Sequence, residues 1–369
     1  MVFWPSAAIF VYVFLLFPLL MAILAGRRQQ PTTQGGDPRA VTVIVPFFNE
    51  KKRLGKKLDN CLGIEYPADR IDFLFVSDGS TDGGDKLVTA CDDPRVRLLR
   101  LPENQGKAAA MNAGAATATG ELILFTDAGS LIGQTAPKAA LPHLHDPRVG
   151  CVCGIYRNEM HGKWNAWKAS SAYLGVEMRL RTWESATWTA VGGTGALLAL
   201  RKKDYTPLPK GVLNDDFVLT ARQAAAGNRV IYEPGAVAVA STPPDVSKAL
   251  RRRARISCGN WQMLSCLPKL PEWRSRFAAW VFISHKLLRM ILPIPIFALW
   301  AGLGILAPVL FCVLTASFAV LLLLAGLGLR LNSRLIESNP LGIVPLLLLN
   351  FFAICQGTLQ HLRRRSVEW

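Results

Sequence analysis

Residues Val2 to Ala25 carry no charged side chain, and this run constrains the chain more than any other feature. About 20 consecutive apolar residues suffice to cross the ~30 Å hydrocarbon core of a bilayer, and a helix satisfies its own backbone there. Arg27 and Arg28 follow at once. A secretory leader carries its positive charge before the apolar run, and no small-residue cleavage site is evident here. The run therefore reads as a retained anchor with its carboxyl end in the cytosol. Three further largely apolar stretches lie toward the other end: Ile283 to Ala307, Val309 to Leu329 and Leu341 to Thr358. Pro293 and Pro295 interrupt the first, and Pro308 divides it from the second. Three spans there would place Arg363, Arg364 and Arg365 outside, against the bias of basic segments toward the cytosol.

The expected organisation is a transmembrane helix at 1–26, a linker at 27–40 and a cytosolic α/β domain at 41–245. Amphipathic interfacial helices at 246–282 and transmembrane helices at 283–369 complete it, giving a multi-pass protein of the cell inner membrane. The net charge of +16 suits an anionic membrane lipid surface, and no nucleic acid partner is expected. Cys151 and Cys153 stand too close on one strand to share a metal, and reduced thiols are the default on the cytosolic side.

Within the polar region, apolar and β-branched runs alternate with helical patterns. Val41 to Val45, Ile71 to Ser77, Val96 to Arg100 and the strand from Glu121 are the runs, with Pro46 ending the first. Leu122 to Phe125 is apolar on both faces, the pattern of a strand buried in a parallel sheet. This succession predicts a doubly wound, mostly parallel sheet. Three strand ends carry Asn49 and Glu50, Asp78 and Asp82, and Asp127. Ligands of such sheets bind beyond the carboxyl ends of the strands, so these residues would surround one crevice. Asn49 also reads as the N-cap of the basic helix through Cys61. Asp127 alone fits a helix cap as well as a cation site. Beside a diphosphate it suits Mg²⁺ or Mn²⁺, because Mg²⁺ favours carboxylate oxygens shared with phosphate. Lys107 opens a helix after Gly106, where the helix dipole also favours anions.

The segments VIVPFFNE, FVSDGSTDGG, NQGKAAAMN and LFTDAGS, in that order, resemble the nucleotide-sugar half of glycosyltransferase family two. GGTGALLAL, LNDDFVL, RRRARISCGNWQ and FISHKLLR resemble its membrane-integrated branch, which includes synthases of cellulose, chitin oligosaccharide, hyaluronan and other bacterial exopolysaccharides. The resemblance runs from Val41 to Arg289. It implies a GT-A fold, a UDP-sugar donor, inversion at the anomeric carbon, and a glycan or lipid-linked acceptor. Residue by residue it implies that Asp78, with Pro46, Asn49 and Glu50 beside it, meets the uracil and ribose. Lys107 matches the lysine of the donor loop, and Asp127 the first acid of the DxD metal element. The third position of that element is Gly129, so one metal carboxylate stands where many relatives have two.

Asp215 and Asp216 match the Glu-Asp pair of the acceptor half, behind Asn214 as a possible helix cap. A hydroxyl acceptor needs a base, and a carboxylate raised by burial or by a like charge suits that task. Asp216 is assigned as the base and Asp215 as its orienting neighbour; as an isolated pair they would simply favour a helix dipole. Gly193, Thr194, Gly195 and Trp261 are placed on the acceptor side. Trp164, Trp167, Trp183 and Trp188 could stack on sugar faces or serve as ordinary core residues. In the stretch from Arg251, Arg255 matches the Arg of the family's Gln-x-x-Arg-Trp element and should reach the donor diphosphate. Arg252 replaces the Gln and Ile256 the Trp, which weakens the case for a processive mechanism. A transferase acting on polyprenyl phosphate, and a non-catalytic receptor or transporter with a degenerate nucleotide-binding domain, are the alternatives.

Overall fold

In the computed structural model, the residues described are 3–27, 36–159, 165–241, 246–330 and 343–363. A mixed sheet of eight strands forms the centre. Strands β1 (Val41–Phe47), β2 (Ile71–Ser77), β3 (Val96–Arg100) and β4 (Leu122–Phe125) are mutually parallel, as the apolar runs predict. The second half departs from that pattern. β6 (Val149–Glu159) and β8 (Arg229–Ser241) pair in parallel. β7 (Leu198–Arg201) runs antiparallel to both β4 and β6, and β5 (Ser130–Ile132) antiparallel to β8. The order across the sheet is β3-β2-β1-β4-β7-β6-β8-β5.

Pro46 does not end β1, which runs on to Phe47. Its missing N–H costs nothing on the β4 side, because β4 stops opposite Ile44. The sheet is buried on both faces by two apolar clusters, one around Ile44, Leu74 and Phe125 and the other around Val43, Phe73 and Leu124. Alternate residues of the same strands supply the two clusters, as the two-residue period of a strand requires.

Phe3–Gly26 is, among the described residues, the one continuous helix long and apolar enough to cross a membrane. One face of it is buried through Val13, Phe17 and Met21, while Trp4, Leu15 and Leu19 are exposed. Its buried face meets helix Arg276–Met290. Phe17 lies edge-on to Trp280 at 5.4 Å, and the Tyr12 hydroxyl is 2.7 Å from Ser284 Oγ. Arg276–Met290 and Pro293–Leu306 pass the same length and apolarity test only together, and they bend by 56° at the break between them. A third apolar helix, Pro308–Arg330, follows. The start of the stretch from Leu341 lies outside the described residues, as do Arg364 and Arg365.

Helix Ile343–Leu362 packs on Val246–Met263, the stretch read as interfacial. Contact is close at Gly357, where a Cβ would meet the Ala254 carbonyl, and Ser257 Oγ donates to the Ile354 carbonyl at 2.9 Å.

Candidate active site

Parallel pairing brings the three carboxyl strand ends to one edge, since Phe47 stands opposite Ser77 and Ile44 opposite Phe125. Antiparallel pairing of β4 with β7 then adds what sequence order could not. With Phe125 opposite Leu198, the residues after β4 must face those before β7. Asp127 N–H accordingly donates to the Gly195 carbonyl at 3.0 Å. Helix Asp215–Ala225 begins beside the same place. The resulting cleft is lined by Pro46, Lys107, Thr126, Asp127, Gly195, Asp215 and Asp216 among others.

Lys107 is its centre. Its ammonium lies 2.8 Å from Asp127 Oδ1 and 2.8 Å from Asp215 Oδ2. Burial alone would lower its pKa, but Asp127, Asp215 and Asp216 together outweigh burial and hold it above the ordinary lysine value. Asp215 is buried, and burial raises its carboxyl; Lys107 opposes that rise, while Asp216 and Asp127 add to it. Asp216 is half-buried, and its Oδ1 accepts the Phe217 N–H at 2.8 Å, satisfying a free donor of the helix start. Asn214 is the N-cap by backbone position, yet its side-chain amide is turned to the Ile256 carbonyl and Asn260.

The glycine strap 192–195 is a close-packing requirement. A Cβ on Gly195 would lie 2.8 Å from Asp127 Oδ2, and one on Gly193 would lie 2.5 Å from the Asp216 carbonyl oxygen. Only glycine lets the strap touch both halves of the cleft. Thr194 Oγ1 accepts the Ala196 N–H within the strap.

The donor-side residues divide. Asp78, expected against a base, is fully buried, and its two oxygens accept the Gln105 and Gly106 N–H groups at 2.9 and 2.8 Å. What it does here is hold the loop that delivers Lys107. Gly106 sits at φ +94 in that loop, a conformation other residues resist. Asn49 is not the helix cap. It lies at φ +53, its Oδ1 accepts the Thr81 N–H, and helix Lys51–Leu62 begins two residues later, with Glu50 in the N-cap position. The acceptor for the first turn comes instead from Asp82, whose Oδ2 takes the Lys51 N–H at 2.8 Å. Glu50 grips Arg53 Nη1 at 2.7 and 2.9 Å.

Several expected residues stand away from the cleft. Trp261 faces Ile343–Leu362, donating from Nε1 to Thr358 Oγ1 at 3.0 Å, because the C-terminal helix covers the side of Val246–Met263 that carries it. Arg255 is half-buried and does not line the cleft, while Arg251 and Arg252 are exposed. Arg229 lies over the Trp188 ring, and Trp183 packs against the core. Trp164 and the side chain of Trp167 lie outside the described residues.

Two cations were missed. Lys57 is fully buried and donates to Thr126 Oγ1 at 2.8 Å and to the Ser130 carbonyl at 2.5 Å, so it brackets the turn that carries Asp127. Burial lowers its pKa. Arg53 stands over Gly129, where an added Cβ would lie 3.6 Å from its Nη1. Both belong to one face of Lys51–Leu62, four residues apart, a spacing visible in KKRLGKKL.

Among the described residues no group of three His, Cys, Asp or Glu could hold a metal ion. Asp127, 41% exposed, is the more open of the carboxylates that meet Lys107 at the cleft. One carboxylate fits Mg²⁺ or Mn²⁺ where substrate phosphates supply further oxygens.

Residues 42–206 match the Glycosyl transferase family 2 profile. The chain is 24% identical over 273 residues to a poly-beta-1,6-N-acetyl-D-glucosamine synthase of Staphylococcus aureus, covering 71% of this chain and 63% of that protein. It is 38% identical over 106 residues to a dolichyl-phosphate beta-glucosyltransferase of Trichomonas vaginalis, covering 27% of this chain and 32% of that one. It thus spans less than two thirds of the length of either relative. A mannosyltransferase from Pyrobaculum calidifontis, solved in complex with GDP-Man and Mn²⁺, superposes with a TM-score of 0.71 at 24% identity. That likeness covers 99% of this chain and 100% of the other. The fold is GT-A.

Proposed function

We propose, from the match of residues 42–206 to the Glycosyl transferase family 2 profile, that the chain is an inverting, membrane-integrated transferase. It moves a sugar from a UDP-sugar to a hydroxyl of a glycan or lipid-linked acceptor in exopolysaccharide synthesis. The observation that carries this reading is the meeting of Lys107, Asp127, Asp215 and Asp216 against the glycine strap at one sheet edge.

Asp216 acts as the base. Its Oδ1 is committed to the Phe217 N–H, and Oδ2 has no partner among the described residues, which leaves it to accept the acceptor's proton. Asp215, buried and paired with Lys107, fixes the lysine rather than exchanging protons. Lys107 and the start of its helix receive donor phosphate, with Arg53 as a further cation; Arg255, off the cleft lining here, would reach the diphosphate only from its helix beside Asn214. Asp127 is the residue that would hold Mg²⁺ or Mn²⁺. When bound, that cation would neutralise charge on the leaving diphosphate. Asn49, Glu50 and Pro46 shape the nucleotide side, and Asp78 serves it by anchoring the 105–106 loop. The apolar helices and the exposed Arg251 and Arg252 seat the enzyme on anionic lipid.

A second reading, transfer to a polyprenyl phosphate, is favoured by the local similarity to the dolichyl-phosphate enzyme. Such an acceptor is already charged and needs no base. The purified protein should be incubated with Mn²⁺ and a panel of UDP-sugars that includes UDP-N-acetylglucosamine, first with oligosaccharide and then with polyprenyl phosphate. UDP release that requires the oligosaccharide supports the first reading. Release only with polyprenyl phosphate supports the second, and release with neither contradicts both.

A further inference from the structure

A second buried cluster of charge reaches the same strap from the side of the apolar helices. Helix Asn165–Thr187 carries Glu177, Arg181 and Glu184 on one face. Glu177 is 8% exposed and accepts from four partners: His285 Nε2 at 3.1 Å, Lys286 Nζ at 3.0 Å, Arg289 Nη1 at 2.8 Å and Arg181 Nε at 3.2 Å. Three of these come from Arg276–Met290, where Phe282–Leu287 forms a π-helical turn. His285 also meets Glu184 Oε1 through Nδ1 at 2.5 Å, and both residues are fully buried. Arg181 passes the connection on. Its Nη1 donates to the Gly193 carbonyl and to Tyr232 Oη, both at 2.6 Å, and Tyr232 Oη donates to the Gly192 carbonyl at 3.0 Å. Gly193 rests directly on the Asp216 backbone. An unbroken line of contacts thus runs from His285, Lys286 and Arg289 through Glu177, Arg181 and Gly193 to Asp216.

Such a cluster is not the cheapest way to pack two helices. Well-packed apolar residues of similar volume serve stability as well or better than a buried ion network. The polar line has what an apolar contact lacks, a direction: donors of fixed geometry hold two successive strap carbonyls in one place. The guanidinium fork suits this better than a lysine would, because its donors are rigidly disposed.

We propose that Glu177 and Arg181 are positioning residues for transfer: they lock the 192–193 strap, and with it Asp216, and docking of Arg276–Met290 sets the lock. This rests on Asp216 acting on the acceptor, and the test separates the two ideas. In the full-length protein, Glu177→Gln and Arg181→Lys should be compared with Glu233→Gln. The last alters a part-buried carboxylate paired with His143 outside the cleft. Three readouts are needed: UDP affinity with Mn²⁺ by calorimetry, UDP release with saturating acceptor, and melting temperature.

A misplacement of about 1 Å costs on the order of 100-fold in rate, so Glu177→Gln should lose roughly that factor in transfer. Its UDP affinity should stay near wild type, Arg181→Lys should retain an intermediate rate, and Glu233→Gln should behave as wild type. Transfer at the wild-type rate in Glu177→Gln would overturn the proposal. So would UDP affinity and transfer falling together in parallel with melting temperature. If Glu177→Gln does not fold, Arg181→Lys decides by the same readouts. A reduced rate at full UDP affinity upholds the proposal even if Asp216→Asn later proves active; only the identity of the base then falls.

Discussion

Two clusters of buried charge meet at the strap 192–195, and they are unbalanced in opposite senses. Around Lys107, two carboxylates share one ammonium and a third, Asp216, is near enough to act on it. Around Glu177, two carboxylates are met by Arg181, Lys286, Arg289 and His285. The first opens on a cleft, with Asp127 41% exposed. The second is closed over by three helices. Burial would raise the Glu177 carboxyl, but His285, Lys286 and Arg181 hold it well below its usual range. A cluster short of positive charge at an opening is built to be completed by something that arrives. A cluster whose central carboxylate is fully paired is built to stay as it is.

The contrast breaks most easily at Asp127. Asp127→Asn should abolish transfer and remove the part of UDP affinity that depends on Mn²⁺, leaving metal-free affinity little changed. Calorimetry with and without Mn²⁺ measures this, and equal metal-supported affinity in variant and parent would deny Asp127 its role. Arg255 is next. Half-buried where Arg251 is exposed, Arg255→Ala should lower UDP affinity by about tenfold, the worth of roughly 1.4 kcal/mol. Arg251→Ala should change it little. Equal losses that anionic vesicles restore would make the helix a lipid-binding surface only. Trp261 should matter least. Trp261→Phe loses one hydrogen bond to Thr358, worth about 1 kcal/mol. It should lower melting temperature slightly and leave acceptor dependence unchanged; a raised acceptor KM would return Trp261 to the acceptor side.

The shared edge of the parallel strands was legible because its signals are local. Apolar runs ending in Asn49, Asp78 and Asp127 give strands, parallel order gives one edge, and the edge gives a crevice. What failed was local competition: Asp82, on a different turn, caps the helix assigned to Asn49, which leaves Asn49 free for Thr81. The contact of Trp261 with Thr358 was hidden for a different reason, since the helix that covers it begins about 80 residues further on. The lock around Glu177 was illegible in position though not in pattern. Glu177, Arg181 and Glu184 recur at helical spacing and lead into the glycine strap, but nothing in that stretch names the FISHKLLR segment as their partner. Lys57 was hidden by its setting, since KKRLGKKL reads as a solvated basic face and one lysine of it is fully buried.

The central claim is that the acid-rich cleft performs base-assisted transfer to a hydroxyl, and Asp216→Asn tests it most directly. The substitution keeps the shape and removes the charge that takes the proton. General-base catalysis contributes about 10²–10⁴-fold, so UDP release with oligosaccharide acceptor should fall by that factor. UDP affinity with Mn²⁺ should remain, because Lys107 and Asp127 hold their places without Asp216. Transfer at the parent rate with affinity intact would contradict the account.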